Sequence, residues 1–238
     1  YTSKTRIDLE DVGYSNKITN KAILKILENA GARQSETIHF GLNDMENVGF
    51  SWILLGWKVK ILKRPIYNEE LTINTWGRDS NRIFTYRDYE IYDESGELCA
   101  IATSKWAIVD INTGKLRELT PEIIEKYQCE TKKVFEEDYT LKLKEPVTII
   151  RKQEYKAQRR DIDINKHIHN LYYLDYAYEV LPEEVYEAPE CNNIEIMYKK
   201  QIRLNDEFKC LYTKEENQNI VTMKSEDENT LHAIIKLY

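Results

Sequence analysis

The chain has 238 residues, of which 42% are apolar and 32% charged, and carries a formal net charge of −7. Such a composition is that of a soluble globular protein, long enough for one large domain or two of about 110 residues. The acidic balance excludes bulk nucleic-acid binding, which asks for a basic face, and no apolar run approaches the ~20 residues of a membrane-spanning helix.

The N-terminal Tyr-Thr-Ser-Lys-Thr-Arg lacks the apolar core of a secretory signal and the Arg/Ser-rich pattern of a transit peptide, so a cytoplasmic location is expected. The four cysteines, Cys99, Cys129, Cys191 and Cys210, form no C-x-x-C pair and read as reduced thiols rather than a zinc site or disulfide framework. With eight glycines and no Gly-rich loop, neither a phosphate cradle nor a cofactor is expected.

Along the chain, Ala22, Ile23, Ile26, Leu27 and Ala30 recur at helical spacing and predict an amphipathic helix over 18–34. From Trp52 to Asp110 the pattern is β: Trp57–Leu62 alternates, Leu71–Trp76 and Ile83–Tyr92 follow, Asp93-Glu-Ser-Gly96 makes a hairpin turn, and Leu98–Val109 returns. Thr120-Pro121-Glu122 is an N-cap, a first-turn proline and a first-turn acid, predicting a short helix over 121–127. The charged stretch up to Pro146 reads as a connection.

The second half repeats the plan. A strand over 147–156 leads to a helix with Leu171, Leu174, Ala177, Tyr178 and Leu181 on one side, stopped by Pro182. Strands over 194–202, 207–213, 220–224 and 231–238 follow, with polar turns between. A helix and then an antiparallel meander, given twice, predicts an α+β chain of two sheets, each around its own helix.

The repeat is sharpest in ten residues. Asp161-Ile-Asp-Ile-Asn-Lys-His-Ile-His-Asn170 aligns with Asp11-Val-Gly-Tyr-Ser-Asn-Lys-Ile-Thr-Asn20, and Asp161, Ile168 and Asn170 match Asp11, Ile18 and Asn20. The copies differ where chemistry could reside: Asp163, Asn165 and His167 stand where the first copy has Gly13, Ser15 and Lys17. If the stretch is extended, period two projects all three to one side, beside a helix N-terminus able to polarise a carbonyl. Asp and Asn also cap helices and close turns, and a histidine can simply sit half-exposed in a polar loop. Capping alone, however, does not require the copies to differ at all three positions. His167-x-His169 with Asp161 suggests zinc, but zinc asks for three or four converging ligands and no other His or Cys is near in sequence, so no metal is expected.

The second-copy stretch resembles the D-x-D-x-N-x-H-x-x-N element of the acyl-acyl carrier protein (acyl-ACP) thioesterases of plants and bacteria. The first half is similar at Pro65, Glu69-Glu-Leu71, Thr75-Trp76, Ser80-Asn-Arg82, Arg87-Asp88, Asp93, Gly96-Glu97 and Ala102-Thr-Ser-Lys-Trp106. The resemblance implies a double hot-dog fold, with a non-catalytic N-terminal unit at 1–130 that lends the acyl pocket, a linker at 131–146 and a catalytic C-terminal unit at 147–238. It implies hydrolysis of the thioester between a fatty acyl chain and the 4'-phosphopantetheine arm of acyl carrier protein, ending chain elongation in fatty acid biosynthesis, by a monomer or homodimer.

Carried over by residue, Asp163, Asn165 and His167 fall on the family's catalytic positions. Asp163 would be base or nucleophile, Asn165 would orient it or a water, and His167 would hydrogen-bond the carboxylate or thioester and protonate the leaving thiolate. Backbone amides at the start of a 168–180 helix would supply oxyanion donors. Two departures stand out. After Tyr198-Lys-Lys the family carries Glu then Cys, whereas this chain has Gln201 and Ile202, so Gln201 would position water without taking its proton. His169 replaces an Asn common in the family. The basic residues Arg151, Lys152, Lys156, Arg159 and Arg160, with Lys199, Lys200 and Arg203, form a local cluster; Arg159, Arg160, Lys199 and Lys200 are the candidate carrier-protein contacts. Acyl-CoA hydrolysis, hot-dog hydratase or dehydratase chemistry and non-catalytic acyl binding are the competing readings.

Overall fold

The computed structural model describes residues 1–78, 82–137, 142–186 and 191–238. Ser80 and Asn81, which carry part of the resemblance, lie outside the described residues, as does 138–141 of the charged connection. The chain divides into two compact units, Tyr1–Thr140 and Leu141–Tyr238.

In the first unit, β1 (Thr2–Arg6) leads through a 3-10 turn at Leu9–Asp11 into α1 (Asn20–Thr37). After the short α2 (Met45–Val48) come β2 (Phe50–Ile61), β3 (Glu70–Gly77), β4 (Phe84–Tyr92), β5 (Leu98–Asp110) and β6 (Leu116–Arg117), then α3 (Pro121–Tyr127). The strands lie antiparallel in the order β1-β3-β4-β5-β2, with β6 on β5. The meander predicted from periodicity is therefore only β3-β4-β5; the strand before the helix joins it at β3 and the strand after it at β5.

Thr19 caps α1, its hydroxyl accepting from the Ala22 amide at 3.1 Å. The helix buries Ile23, Leu24, Leu27 and Ala30 and packs on β1 and β3. Leu71, Ile73, Tyr89 and Ile91 are buried on the sheet, as are Ala100, Ala102 and Ser104 of β5. Gly31 lets helix and sheet approach: a Cβ there would stand 3.0 Å from the Tyr89 hydroxyl and 3.2 Å from Arg87 Cδ. The 93–96 turn forms as expected, with Asp93 N–H on Glu97 O (3.0 Å) and Gly96 at φ 82°.

The second unit repeats this order with a shorter helix. β7 (Arg151–Lys156), a 3-10 turn at Arg159–Asp161, α4 (Tyr172–Val180) and α5 (Glu183–Tyr186) precede β8 (Asn193–Tyr198), β9 (Glu207–Glu215), β10 (Gln218–Ser225) and β11 (Leu231–Leu237). The order is β7-β9-β10-β11-β8, strand for strand that of the first unit. Leu174, Ala177 and Val180 of α4 are fully buried, and the helix packs on β7, β9 and β11.

Three expectations shift. Strand β7 begins at Arg151, not 147, and Val147 is 97% exposed. Helix α4 begins at Tyr172 rather than 168 because Ile168 and His169 donate their amides to Ile202 O and Asp161 O. Strand β8 stops at Tyr198, so Gln201 lies beyond it. No described helix is long and apolar enough to cross a membrane.

Candidate active site

The stretch from Asp161 to Asn170 is not extended. Ile162 bridges Ile168, and residues 163–166 turn between them, with Asp163 N–H donating to His167 O (3.0 Å) and Lys166 N–H to Asp163 O (3.0 Å). Lys166 takes a left-handed φ of 64°. The side chain of Asp163 explains part of this: its Oδ1 accepts from the Asn165 amide at 2.8 Å, an Asx turn that competes with a strand. Period two therefore does not hold. Asp163 and His167 meet across the neck of the turn, and Asn165 sits exposed at its tip.

The first copy uses the same frame. Val12 bridges Ile18, Gly13 N–H donates to Lys17 O (3.0 Å), Asn16 N–H to Gly13 O (3.0 Å), and Asn16 has φ 59°. Each hairpin is also docked alike. Ile18 N–H reaches Pro65 O at 2.9 Å and Ile168 N–H reaches Ile202 O at 2.8 Å; Lys17 bridges Ile66 and His167 bridges Arg203. In both, the carboxylate ahead of the hairpin closes the preceding 3-10 turn, Asp11 Oδ2 accepting from Asp8 N–H (3.1 Å) and Asp161 Oδ2 from Gln158 N–H (2.8 Å). With Gly13 at its first position the turn closes without a carboxylate. The Asp163 carboxylate thus braces the turn without being required to close it.

His167 Nδ1 lies 3.1 Å from Ile168 O and 3.8 Å from Asp163 Oδ2. A carbonyl oxygen only accepts, so Nδ1 carries the ring proton in the neutral tautomer and Nε2 carries the lone pair. Both side chains are largely shielded, at 21% exposure for His167 and 14% for Asp163. Sequence reading passed over two tyrosines. Tyr176 Oη donates to Asp161 Oδ2 at 2.6 Å and pins the base of the hairpin. Tyr173, buried edge-on to Tyr198 with centroids 5.3 Å apart, has its hydroxyl pushed above the usual tyrosine range by burial, with the Asp163 charge adding to it. The signal for both was their helical spacing, which in sequence looks like ordinary core packing.

The remaining candidates are placed differently. Gln201 is exposed, and in the orientation its surroundings favour its amide oxygen accepts from Arg203 Nε (3.3 Å) and Nη2 (3.1 Å). The amides at the helix start are not aimed outward as expected: besides those of 168 and 169, Leu171 N–H donates to His169 Nδ1 (3.3 Å) and Tyr172 N–H to His169 O (2.9 Å). Of the basic residues, Lys152 pairs with Glu228 (2.6 Å), Lys156 with Glu207 (3.5 Å), and Arg151 donates to Leu181 O (3.0 Å). Arg159, Arg160, Lys199 and Lys200 are exposed.

Asp161, His167 and His169 each face a separate partner, and the described residues contain no group of three or more His, Cys, Asp or Glu side chains placed to hold a metal ion. The cysteines are free; burial pushes the Cys99 thiol up to about 11 and that of Cys210 further, the reverse of nucleophile activation.

Comparison with known proteins settles the lineage of this arrangement. The N-terminal domain of acyl-ACP thioesterases matches residues 1–127, and their C-terminal domain matches residues 144–236. The chain belongs to the acyl-ACP thioesterase family. Among relatives of this family, an oleoyl-acyl carrier protein thioesterase of Arabidopsis thaliana is 25% identical over 93% of the chain, and one of Coriandrum sativum is 25% identical over 94%. The chain spans 65% of the length of each. An acyl-ACP thioesterase structure from Bacteroides thetaiotaomicron superposes with a TM-score of 0.86 at 22% identity, covering 100% of this chain and 96% of that one. The 12:0-ACP thioesterase of Umbellularia californica gives 0.84 at 17% identity, covering 100% and 95%. The fold is the double hot-dog of these acyl-ACP thioesterases.

Proposed function

We propose that this chain hydrolyses fatty acyl-ACP thioesters, releasing the free acid and ending chain elongation in fatty acid biosynthesis. The observation that carries the reading is the Asp163–His167 pair, held on a turn that the first copy builds without either residue. The kinship with oleoyl-ACP thioesterases supplies the substrate class.

His167 Nε2 takes a proton from water as the water oxygen adds to the thioester carbon. Asp163, facing Nδ1, stabilises the imidazolium that forms, the part a carboxylate plays beside a catalytic histidine. The tetrahedral intermediate then collapses, the C–S bond breaks, and the proton passes from His167 to the leaving thiolate. Asn165, exposed at the tip, meets the incoming thioester and donates from its amide to the developing oxyanion. This replaces the helix-start amides at 168, 169, 171 and 172, which already have acceptors within the unit. Gln201 acts at the margin, by orienting Arg203 rather than by moving a proton. Arg159, Arg160, Lys199 and Lys200 attract the acidic carrier protein.

The first unit keeps the frame without the reactive groups and is left the task of holding the acyl tail, where each CH₂ withdrawn from water gains about 0.8 kcal/mol. The test is thiol release from a C8 to C18 panel of acyl-ACPs, with acyl-CoA alongside. Turnover on at least one acyl-ACP, faster than on the matching acyl-CoA, is expected. A hydrated thioester as product, or tight binding without turnover, overturns the reading.

A further inference from the structure

The segment against which the Asp163–His167 hairpin docks, residues 199–206, connects the end of β8 to the start of β9. Its far end is tied alike in the two units. Ala157 N–H donates to Asp206 O (3.0 Å) and Arg203 N–H to Asp206 Oδ2 (2.8 Å), as Ile7 N–H donates to Glu69 O (3.0 Å) and Ile66 N–H to Glu69 Oε2 (3.3 Å). The near end also keeps one backbone bond in both, Lys199 N–H on His232 O (2.8 Å) and Leu62 N–H on Cys99 O (2.7 Å). That bond aligns His232 with Cys99, Lys200 with Lys63 and Gln201 with Arg64.

The side chains at the near end do not correspond. In the first unit Lys63 Nζ reaches Asp93 Oδ2 (2.7 Å), and Arg64 clamps the hairpin itself, Nη1 to Ile18 O (2.8 Å) and Nη2 to Asn20 Oδ1 (2.6 Å). In the second unit Lys200 and Gln201 are exposed, and Gln201 turns to Arg203. The carbonyl that answers to Ile18 O is Ile168 O, and it faces His167 Nδ1 at 3.1 Å. An arginine clamp at 201 would compete for the acceptor that fixes the His167 tautomer. Buried His232 holds this end from the other side instead, its Nδ1 donating to Lys200 O at 2.8 Å. Cys99 gives its loop no such bond: its Sγ turns to Glu97 O at 3.5 Å, and a thiol is a weak donor.

We infer that His232 is a positioning residue for hydrolysis, holding through Lys200 O the 200–203 segment that seats His167. The inference rests on the function proposed above. The path is short: two residues beyond Lys200, Ile202 O takes the Ile168 amide at 2.8 Å, and Arg203 bridges His167. A slack near end displaces both contacts together and carries the imidazole away from the position in which its Nε2 meets water. Misplacement of a catalytic group by about 1 Å can cost 10²-fold in rate, so one buried hydrogen bond at this end is enough to matter.

Turnover on acyl-ACP, together with imidazole NMR of the four histidines, provides the test. His232→Cys introduces the residue that the first unit buries at this position, and His232→Asn keeps an amide able to donate to Lys200 O. His232→Cys is expected to lower kcat roughly tenfold or more with KM within about twofold. Its His167 ring signals move, while those of the exposed His39 stay. His232→Asn is expected to recover most of kcat and to return the His167 signals toward wild type. Ile234→Val, which thins the packing of the same strand against Met197 and Ile220, controls for lost stability and leaves both readouts at wild type. Wild-type kcat with unmoved His167 signals in His232→Cys overturns the inference. So does a loss that Ile234→Val reproduces, or one that His232→Asn does not relieve. A wild type that releases no thiol from any acyl-ACP removes the hydrolase reading instead, and the NMR comparison still decides whether His232 seats His167.

Discussion

His167 faces Asp163 across the neck of a single turn, Nδ1 to Oδ2 at 3.8 Å, while the other oxygen of the same carboxylate holds the Asn165 amide at 2.8 Å. One side chain thus does two things, shaping the turn with Oδ1 and presenting charge to the imidazole with Oδ2. Replacing it by Asn separates them, because an amide oxygen can keep the Asx turn but carries no charge. Asp163→Asn is expected to lower kcat by roughly 10²–10⁴-fold, with the unfolding midpoint near that of wild type. Near-normal turnover in that variant would remove Asp163 from the mechanism.

The first copy offers the complementary experiment. Gly13 has ordinary backbone geometry, and a Cβ there meets only Thr19 Cγ2 at 3.7 Å, so Gly13→Asp fits without strain. Introduced with Lys17→His into Asp163→Asn, it is expected to fold and to restore no activity, since Ser15 still stands where the second copy has Asn165. Recovered hydrolysis would show that the turn alone is sufficient.

Gln201 faces Arg203 rather than the turn, which predicts a mild phenotype. Gln201→Ala should cost less than about tenfold in kcat/KM, the scale of a lost positioning contact rather than of general acid–base catalysis. A loss as large as that of Asp163→Asn would place the amide at the reacting carbon.

His232, 5% exposed on β11, faces Lys200 O through Nδ1 at 2.8 Å. Burial pulls its pKa below the ordinary 6.5, outweighing the Lys200 carbonyl contact and the Asp206 charge, which pull upward, while the Lys200 charge adds to the lowering. The unfolded state therefore binds the proton more readily, so stability is full above pH 6.5 and declines as pH falls below it. Urea unfolding of wild type and His232→Asn between pH 5 and 8 should show the acid-side loss reduced in the variant. A wild type that gains stability on acidification in this window contradicts the assignment.

At Gly31 two effects compete. Alanine in a helix interior gains up to about 1 kcal/mol over glycine, but its methyl would press on Tyr89 Oη at 3.0 Å and Arg87 Cδ at 3.2 Å. Neither neighbour can yield: Tyr89 is fully buried, and Arg87 is tied to Gln34 and to Thr75 Oγ1 (3.2 Å). Overpacking costs of about 1–3 kcal/mol win, and Gly31→Ala is expected to lower stability in denaturant titration. A stabilised variant would mean that helix and sheet have slack there.

The helix over 121–127 matches its sequence prediction because Thr120, Pro121 and Glu122 act within one turn, where local chemistry decides. The strand periods of β3, β4 and β5 and the turn at Asp93–Gly96 were legible for the same reason. So was the duplication, since offset and residue identity need no coordinates. Strand β1 was missed because three of its five residues are exposed and its pairing partner, Glu70–Asn74, lies far along the chain.

The sequence by itself determined that two copies of one scaffold exist and that only one carries Asp163, Asn165 and His167. The tertiary structure decided what those residues do to one another. An Asx turn and a bridge between Ile162 and Ile168 fold an apparent period-two strand back on itself. The helix start is set by amides committed to Ile202 and Asp161, and Gln201 is turned aside by Arg203. Each depends on hydrogen bonds from side chains or distant backbone, which compete with local periodicity and leave no trace in residue spacing.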